Sequence, residues 1–161
     1  MDDHAPEING TSPERRALAV LRVVLGLMFV WVFFENLGKG AYTPAGYKGV
    51  IDYYLKNGHA PEIWKAIMSM AAANARIAAP MQAATELGFG VLLVAGAGTR
   101  LVAAAAGAFL FTLWISELGT AWVWELGIPV VVAFVLAWAR AGRTWGVDGV
   151  LVRRNPGWRL G

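Results

Sequence analysis

Formal charges are absent from four long tracts of this chain, and their spacing constrains the fold more than any other feature. Residues 23–34, 87–99, 101–116 and 126–139 contain no Asp, Glu, Lys or Arg. With their flanking residues, these tracts approach the ~20 residues needed to cross a hydrocarbon core. Only 16% of the 161 residues are charged, against the ~25% usual in a soluble domain. The pattern predicts an all-α membrane protein: a four-transmembrane-helix bundle occupying residues 15–141. Its spans are expected at about 16–38, 79–98, 100–122 and 124–140.

The first span, around RVVLGLMFVWVFFENLGK (22–39), carries polar groups at both ends. Lipid penalises such groups, so Arg22, Glu35, Asn36 and Lys39 must face protein, a cavity or the interface. Ser12-Pro13-Glu14 supplies an N-cap followed by proline at the first helical position. Residues 1–14 are polar, read as a disordered tail, and lack the basic start and cleavage site of a secretory signal. Thr99 is a candidate N-cap for span 3, whose Ala103 and Gly107 form a small-xxx-small pair suited to helix contact. Pro129 leaves two possibilities for span 4. Either the helix starts near it, or it kinks there and frees the carbonyl of Glu125. Residues 142–161 read as a basic, aromatic interfacial tail.

The long connection after span 1 is not structureless. Tyr47, Val50, Ile51, Tyr54 and Leu55 follow helical spacing, as do Ile63, Trp64, Ile67 and Met68 after Pro61. These stripes predict short amphipathic helices at about 44–57 and 61–73, lying on the membrane surface. They serve either as a cap packed on the bundle or as a lid over a cavity. On a four-span topology, Arg15, Arg16, Arg22, Arg100, Arg140, Arg143, Arg153, Arg154 and Arg159 share one side. Lys39, Lys48, Lys56, Lys65 and Arg76 fall on the other. The richer side marks the cytoplasm, so both termini are expected inside and the long loop on the periplasmic side. Trp31, Trp114, Trp122 and Trp124 then form an outer aromatic belt, and Trp138, Trp145 and Trp158 an inner one.

Four acids gather towards the outer half of such a bundle, one from each span: Glu35, Glu86, Glu117 and Glu125. Gln82 lies one turn from Glu86 on the same face, and Lys39 one turn beyond Glu35. Carboxylates crowded where water is scarce favour the proton-bearing form. Such a group can donate to a carbonyl ligand such as a quinone, or pass a proton. The plainer alternative pairs Glu35 with Lys39 and lets Glu117 and Glu125 reach outer water. Arg22 either snorkels to the interface or anchors a network or an anionic headgroup.

The chain contains no cysteine, and its two histidines, His4 and His59, are remote from each other. Thiol relays, disulfides and thiolate metal sites are excluded, and no metal site is expected. No basic run with interleaved aromatics suggests nucleic acid. An electron carrier would have to be diffusible or partner-bound, and no covalently attached cofactor is expected.

RVVLGLMF followed by a polar turn ending in Lys39, then GAGTR, then GRTWGVDGVL, resembles the DoxX/DoxD family of small four-helix bacterial membrane proteins. The resemblance covers residues 17–152 and singles out Arg22, Gly26, Lys39, Arg100 and Asp148. It implies an inner-membrane subunit linked to redox processes, one branch being the small subunit of thiosulfate:quinone oxidoreductase. Arg22, Arg100 and Asp148 are the candidates for a structural or headgroup contact. The expected role is an accessory subunit in the bilayer beside other redox-complex subunits, with quinone as the candidate ligand. The alternatives are a thiosulfate-oxidising, quinone-reducing enzyme and a small transporter or purely structural protein.

Overall fold

The computed structural model describes residues 12–155 and residue 157; the expected N-terminal tail falls almost wholly outside them, as do Trp158 and Arg159. The described residues form helices and turns, with no strand. Helix α1 (Pro13–Gly38) starts where Ser12 Oγ accepts from the Arg15 amide at 3.5 Å, with Pro13 in the first turn. Thr43 repeats the device for α2 (Pro44–Asn57), accepting from the Gly46 amide at 3.1 Å ahead of Pro44. Helix α3 (Glu62–Ala73) follows Pro61, and Asn74 alone separates it from α4 (Ala75–Ala95). Then come α5 (Thr99–Ser116), α6 (Val123–Ala139), a 3-10 turn (Ala141–Arg143) and α7 (Val147–Arg154).

Helices α1, α4 and α5 are long and apolar enough to cross a membrane; α6, with 17 residues, is apolar but shorter. Helix α1 packs chiefly on α4 and α5 chiefly on α6, and contacts of α1 with α6 and α4 with α5 close the ring. Gly26 of α1 and Gly90 of α4 let the two helices pack closely. A methyl group on Gly26 would sit 2.8 Å from the Val94 amide nitrogen and 2.9 Å from the Gly90 carbonyl oxygen. The core holds Leu25, Phe29, Leu93, Ala106, Leu110 and Leu136. On the outside, Val24, Leu27, Trp31, Ile128, Val131 and Trp138 are exposed. Water would penalise so large an apolar surface, whereas lipid accepts it.

Three expectations are corrected. Helix α4 begins at Ala75, four residues before the expected start at 79, and passes through Pro80. Pro80, the sixth residue of the helix, cannot donate to the Arg76 carbonyl, and α4 continues through it at the cost of that one bond. Helix α5 ends at Ser116, six residues before the expected limit at Trp122. There the chain turns to meet the loop after α2: the His59 amide donates to the Leu118 carbonyl at 2.6 Å, and Gly119 at φ +85° lies against the His59 ring. Helix α6 starts at Val123 and runs through Pro129, so the alternative of a start near the proline does not hold. The described part of the expected interfacial tail forms the 3-10 turn and α7, and the turn packs on α1 and α5.

Candidate functional site

Between the bundle and the α2–α3 connection lies a cavity of about 540 Å³. Its apolar wall includes Ile51, Ile67, Met68, Phe109 and Leu113. Helices α2 and α3 close it over their own small core of Ile51, Ala60, Met68 and Ala72. Below, Phe109 joins Phe29 and Phe89 in a ring cluster with centroids 5.6–6.3 Å apart, separating the cavity from the main core.

Glu86 is the deepest polar group on this wall and only 1% exposed. Because α4 begins at Ala75, Glu86 lies eleven residues into the helix, ~16 Å along its axis. Three neutral groups hold its carboxyl. Gln82 Nε2 donates to Oε1 at 2.8 Å, Asn36 Nδ2 donates to Oε2 at 3.3 Å, and the Tyr42 hydroxyl also donates to Oε2. No cation pairs with it among the described residues. The buried carboxyl is thus satisfied by a network of neutral donors rather than by an ion pair. Tyr42 stacks on Phe33 at 5.5 Å. Burial, followed by the bond to Glu86, pushes its hydroxyl pKa well above that of a free tyrosine.

On the opposite wall, the Tyr54 hydroxyl donates to Glu117 Oε1 at 3.0 Å, and Trp64 Nε1 donates to Ser116 Oγ at 2.9 Å. Each bond ties the α2–α3 cap to the end of α5. Glu117 stands one residue beyond α5. Burial raises its pKa, the Tyr54 bond opposes that rise, and the charge of Glu125 adds to it. Burial likewise raises the Tyr54 pKa, helped by Glu117.

The four acids therefore do not form one cluster. Glu86 and Glu117, with Gln82 and Asn36, line the cavity. Glu35 pairs with Lys39 at 2.6 Å on the exposed surface, and Glu125 is exposed at the start of α6. Neither Glu35 nor Glu125 lines the cavity. Tyr42, Tyr54, Trp64 and Ser116 were not singled out by sequence reasoning as site residues. A tyrosine in the short turn after a span ending in Asn is a signal that could have found Tyr42.

The other end of the bundle holds a second polar knot. Arg22 does not snorkel; it is 0% exposed. Its Nη1 donates to the carbonyls of Ala141 and Thr144 at 3.0 and 3.1 Å, and its Nη2 to that of Trp145 at 3.1 Å. Asp148, also fully buried, accepts from the Gly98 and Thr99 amides, each at 2.8 Å. Thr99 is thus not the N-cap expected for span 3. A carboxylate from α7 performs that task, and Thr99 instead packs against Gly142, where a methyl group would lie 2.1 Å from its hydroxyl oxygen. Gly96, at φ +66°, lets the α4–α5 turn pass beside the Arg22 guanidinium. Arg22 and Asp148 are consequently structural and out of reach of a headgroup, whereas Arg100 is exposed.

A family model for DoxX matches residues 17–117. The chain belongs to the DoxX family. No curated protein and no solved structure matches it. The DoxX match takes in Arg22, Asn36, Tyr42, Glu86 and Glu117, and so both walls of the cavity. It ends before Ala141, Thr144, Trp145 and Asp148, which complete the knot around Arg22.

Proposed function

We propose that this DoxX protein crosses the bacterial cytoplasmic membrane four times, with both termini inside. In this reading it is an accessory subunit of a redox complex, and its cavity receives a quinone-type ligand. The 17 residues of α6 span ~25 Å, enough to serve as a fourth crossing where flanking Trp122, Trp124 and Trp138 sit at the interfaces. The arginine-rich end, by charge, is the cytoplasmic one.

One observation carries the ligand assignment: a largely apolar, partly open cavity with a buried carboxyl held only by neutral donors. Its volume of about 540 Å³ falls within the range of roughly 300–1,000 Å³ typical of small-molecule sites. A planar apolar ring with carbonyl oxygens fits such a wall. The second N–H of Gln82 and of Asn36 would hold a carbonyl, and Glu86 would hold or yield a proton beside it. When bound, a quinone supplies two-electron, two-proton redox chemistry.

The test has two parts. Purification in mild detergent with mass spectrometry should recover a redox enzyme in stoichiometric amount. A partnerless protein that reduces quinone with thiosulfate would refute the accessory role. Titration with a short-chain quinone should show Glu86→Gln weakening binding about tenfold or more, and more than Glu117→Gln. Equal, negligible effects of the two substitutions would remove the cavity from the function.

A further inference from the structure

At the arginine-rich end, outside the Arg22–Asp148 knot, a depression of about 190 Å³ lies between the start of α1 and the 3-10 turn. Arg15, Arg140 and Arg143 line it, with Leu18, Ala139 and Thr144. Among the described residues no acid forms an ion pair with any of the three arginines. The acid that acts on Arg143 most directly is Asp148, and both its oxygens are already engaged by the Gly98 and Thr99 amides. Arg143 Nε is buried without a hydrogen-bond partner. Burial lowers the Arg143 pKa first, and the neighbouring Arg140 and Arg15 charges lower it further.

Three like charges converging on a small hollow repel one another unless an anion joins them. Their convergence is also fixed by the fold rather than accidental. Arg22 anchors the carbonyls of Ala141 and Thr144 on either side of Arg143. Helix α7 backs the same turn, because a methyl group on Gly149 would meet the Arg143 carbonyl oxygen at 2.3 Å. Arg140 stands in the left-handed region at φ 50°, which turns the chain sharply at the end of α6.

We propose that Arg15, Arg140 and Arg143 form a binding site for a phosphate group carried by an anionic phospholipid. Guanidinium groups suit phosphate because their forked N–H donors match its oxygens. The surroundings favour a lipid over a free ion. Arg140 also borders a second hollow with Arg100, Ala104, Ala137 and Trp138, and Trp138 is 89% exposed. Val20, Leu21 and Val135 add exposed apolar surface on α1 and α6 for acyl chains. The site replaces Arg22 and Asp148 as the headgroup contact and brings Arg100 to its edge. It is independent of what the cavity at the other end binds.

The test is native mass spectrometry of the full chain, released from micelles doped with phosphatidylglycerol or with phosphatidylcholine of the same acyl composition. Phosphatidylglycerol adducts should predominate. Arg15→Gln and Arg143→Gln should each lower their retention about fivefold, leaving phosphatidylcholine adducts unchanged. Lys48→Gln, at the opposite end of the molecule, should change neither. Parallel samples receive millimolar inorganic phosphate, which should not displace the lipid. Equal retention of the two lipids, or a preference that survives the Arg15→Gln/Arg143→Gln double substitution, overturns the proposal. Displacement by inorganic phosphate assigns the site to a free anion and overturns the lipid as its source. A melting curve in phosphatidylcholine micelles checks that the double variant is folded; if it is not, Arg140→Gln alone is read in the same way.

Discussion

Asp148→Asn is the sharpest perturbation of the knot, because it keeps the shape of the side chain and changes only charge and one acceptor. In the native protein each carboxylate oxygen accepts one amide, Gly98 and Thr99, both at 2.8 Å. Asparagine offers a single oxygen, so one of these amides must face an NH2 group inside a buried site. An unsatisfied buried donor costs about 1–3 kcal/mol, and the bond that remains loses its charge assistance. The guanidinium of Arg22 also loses a nearby negative charge. Together these changes amount to about 3 kcal/mol, or roughly a hundredfold in the opening equilibrium of this end. Hydrogen exchange with mass spectrometry reads the effect directly. Peptides covering residues 96–104 and 141–154 should exchange about a hundredfold faster. Peptides around Gly26 and Gly90 should not change, since the contact of α1 with α4 does not involve Asp148. Unaltered exchange at Gly98 and Thr99 would show that the carboxylate is not the cap of α5. A uniform rise across the bundle would show that the knot is not a local structure.

Other outcomes follow from the same geometry. Gly26→Ala places a methyl group 2.8 Å from the Val94 amide and 2.9 Å from the Gly90 carbonyl, backbone atoms that cannot rotate aside. It should cost about 1–3 kcal/mol, visible as a lower melting temperature in detergent; an unchanged melt would mean that α1 and α4 are not in contact there. Gly142→Ala drives a methyl group onto Thr99 and Asp148 and should loosen residues 141–154 to limited proteolysis, leaving α1 intact. The third outcome concerns Glu117, whose pKa is raised by burial. A raised carboxyl binds more protons folded than unfolded, so its contribution is present below the unfolded pKa and is lost as pH rises through the folded one. The melting temperature of the native protein minus that of Glu117→Gln should therefore grow as the pH is lowered from neutral towards the ordinary glutamate range. A flat difference would place Glu117 in water.

Periodicity made the helices readable, because it reports one helix face at a time. The stripe from Tyr47 to Leu55 marks α2, and Pro61 with the stripe from Ile63 to Met68 marks α3. The early end of α5 was not readable, since it depends on His59 and Gly119, sixty residues apart in sequence. Glu86 stood out because a carboxyl in an apolar run demands partners, and Gln82 lay one helical turn away. Tyr42 and Asn36 reach it from another element, and no local spacing announces that. Arg22 was ambiguous for a related reason. Its acceptors are backbone carbonyls more than a hundred residues away, and a carbonyl leaves no mark in a sequence. What did leave a mark were the glycines of GAGTR and GRTWG, whose missing side chains make the room that Arg22 and Thr99 occupy.

The separation of Arg22 from its acceptors also bears on how the protein is made. Arg22 and Ala141 stand 119 residues apart, and Asp148 follows the amides it caps by 50 and 49 residues. A ribosome delivers α1, α4 and α5 before it delivers any of the groups that satisfy Arg22 or cap α5. Until residues 141–148 emerge, the charge on α1 is best accommodated by staying near water and lipid headgroups. Only with residues 141–148 in place do the carbonyls that accept from Arg22 and the carboxylate that caps α5 become available. A nascent chain halted before Asp148 therefore carries α1, α4 and α5 without the knot that fastens one end of them.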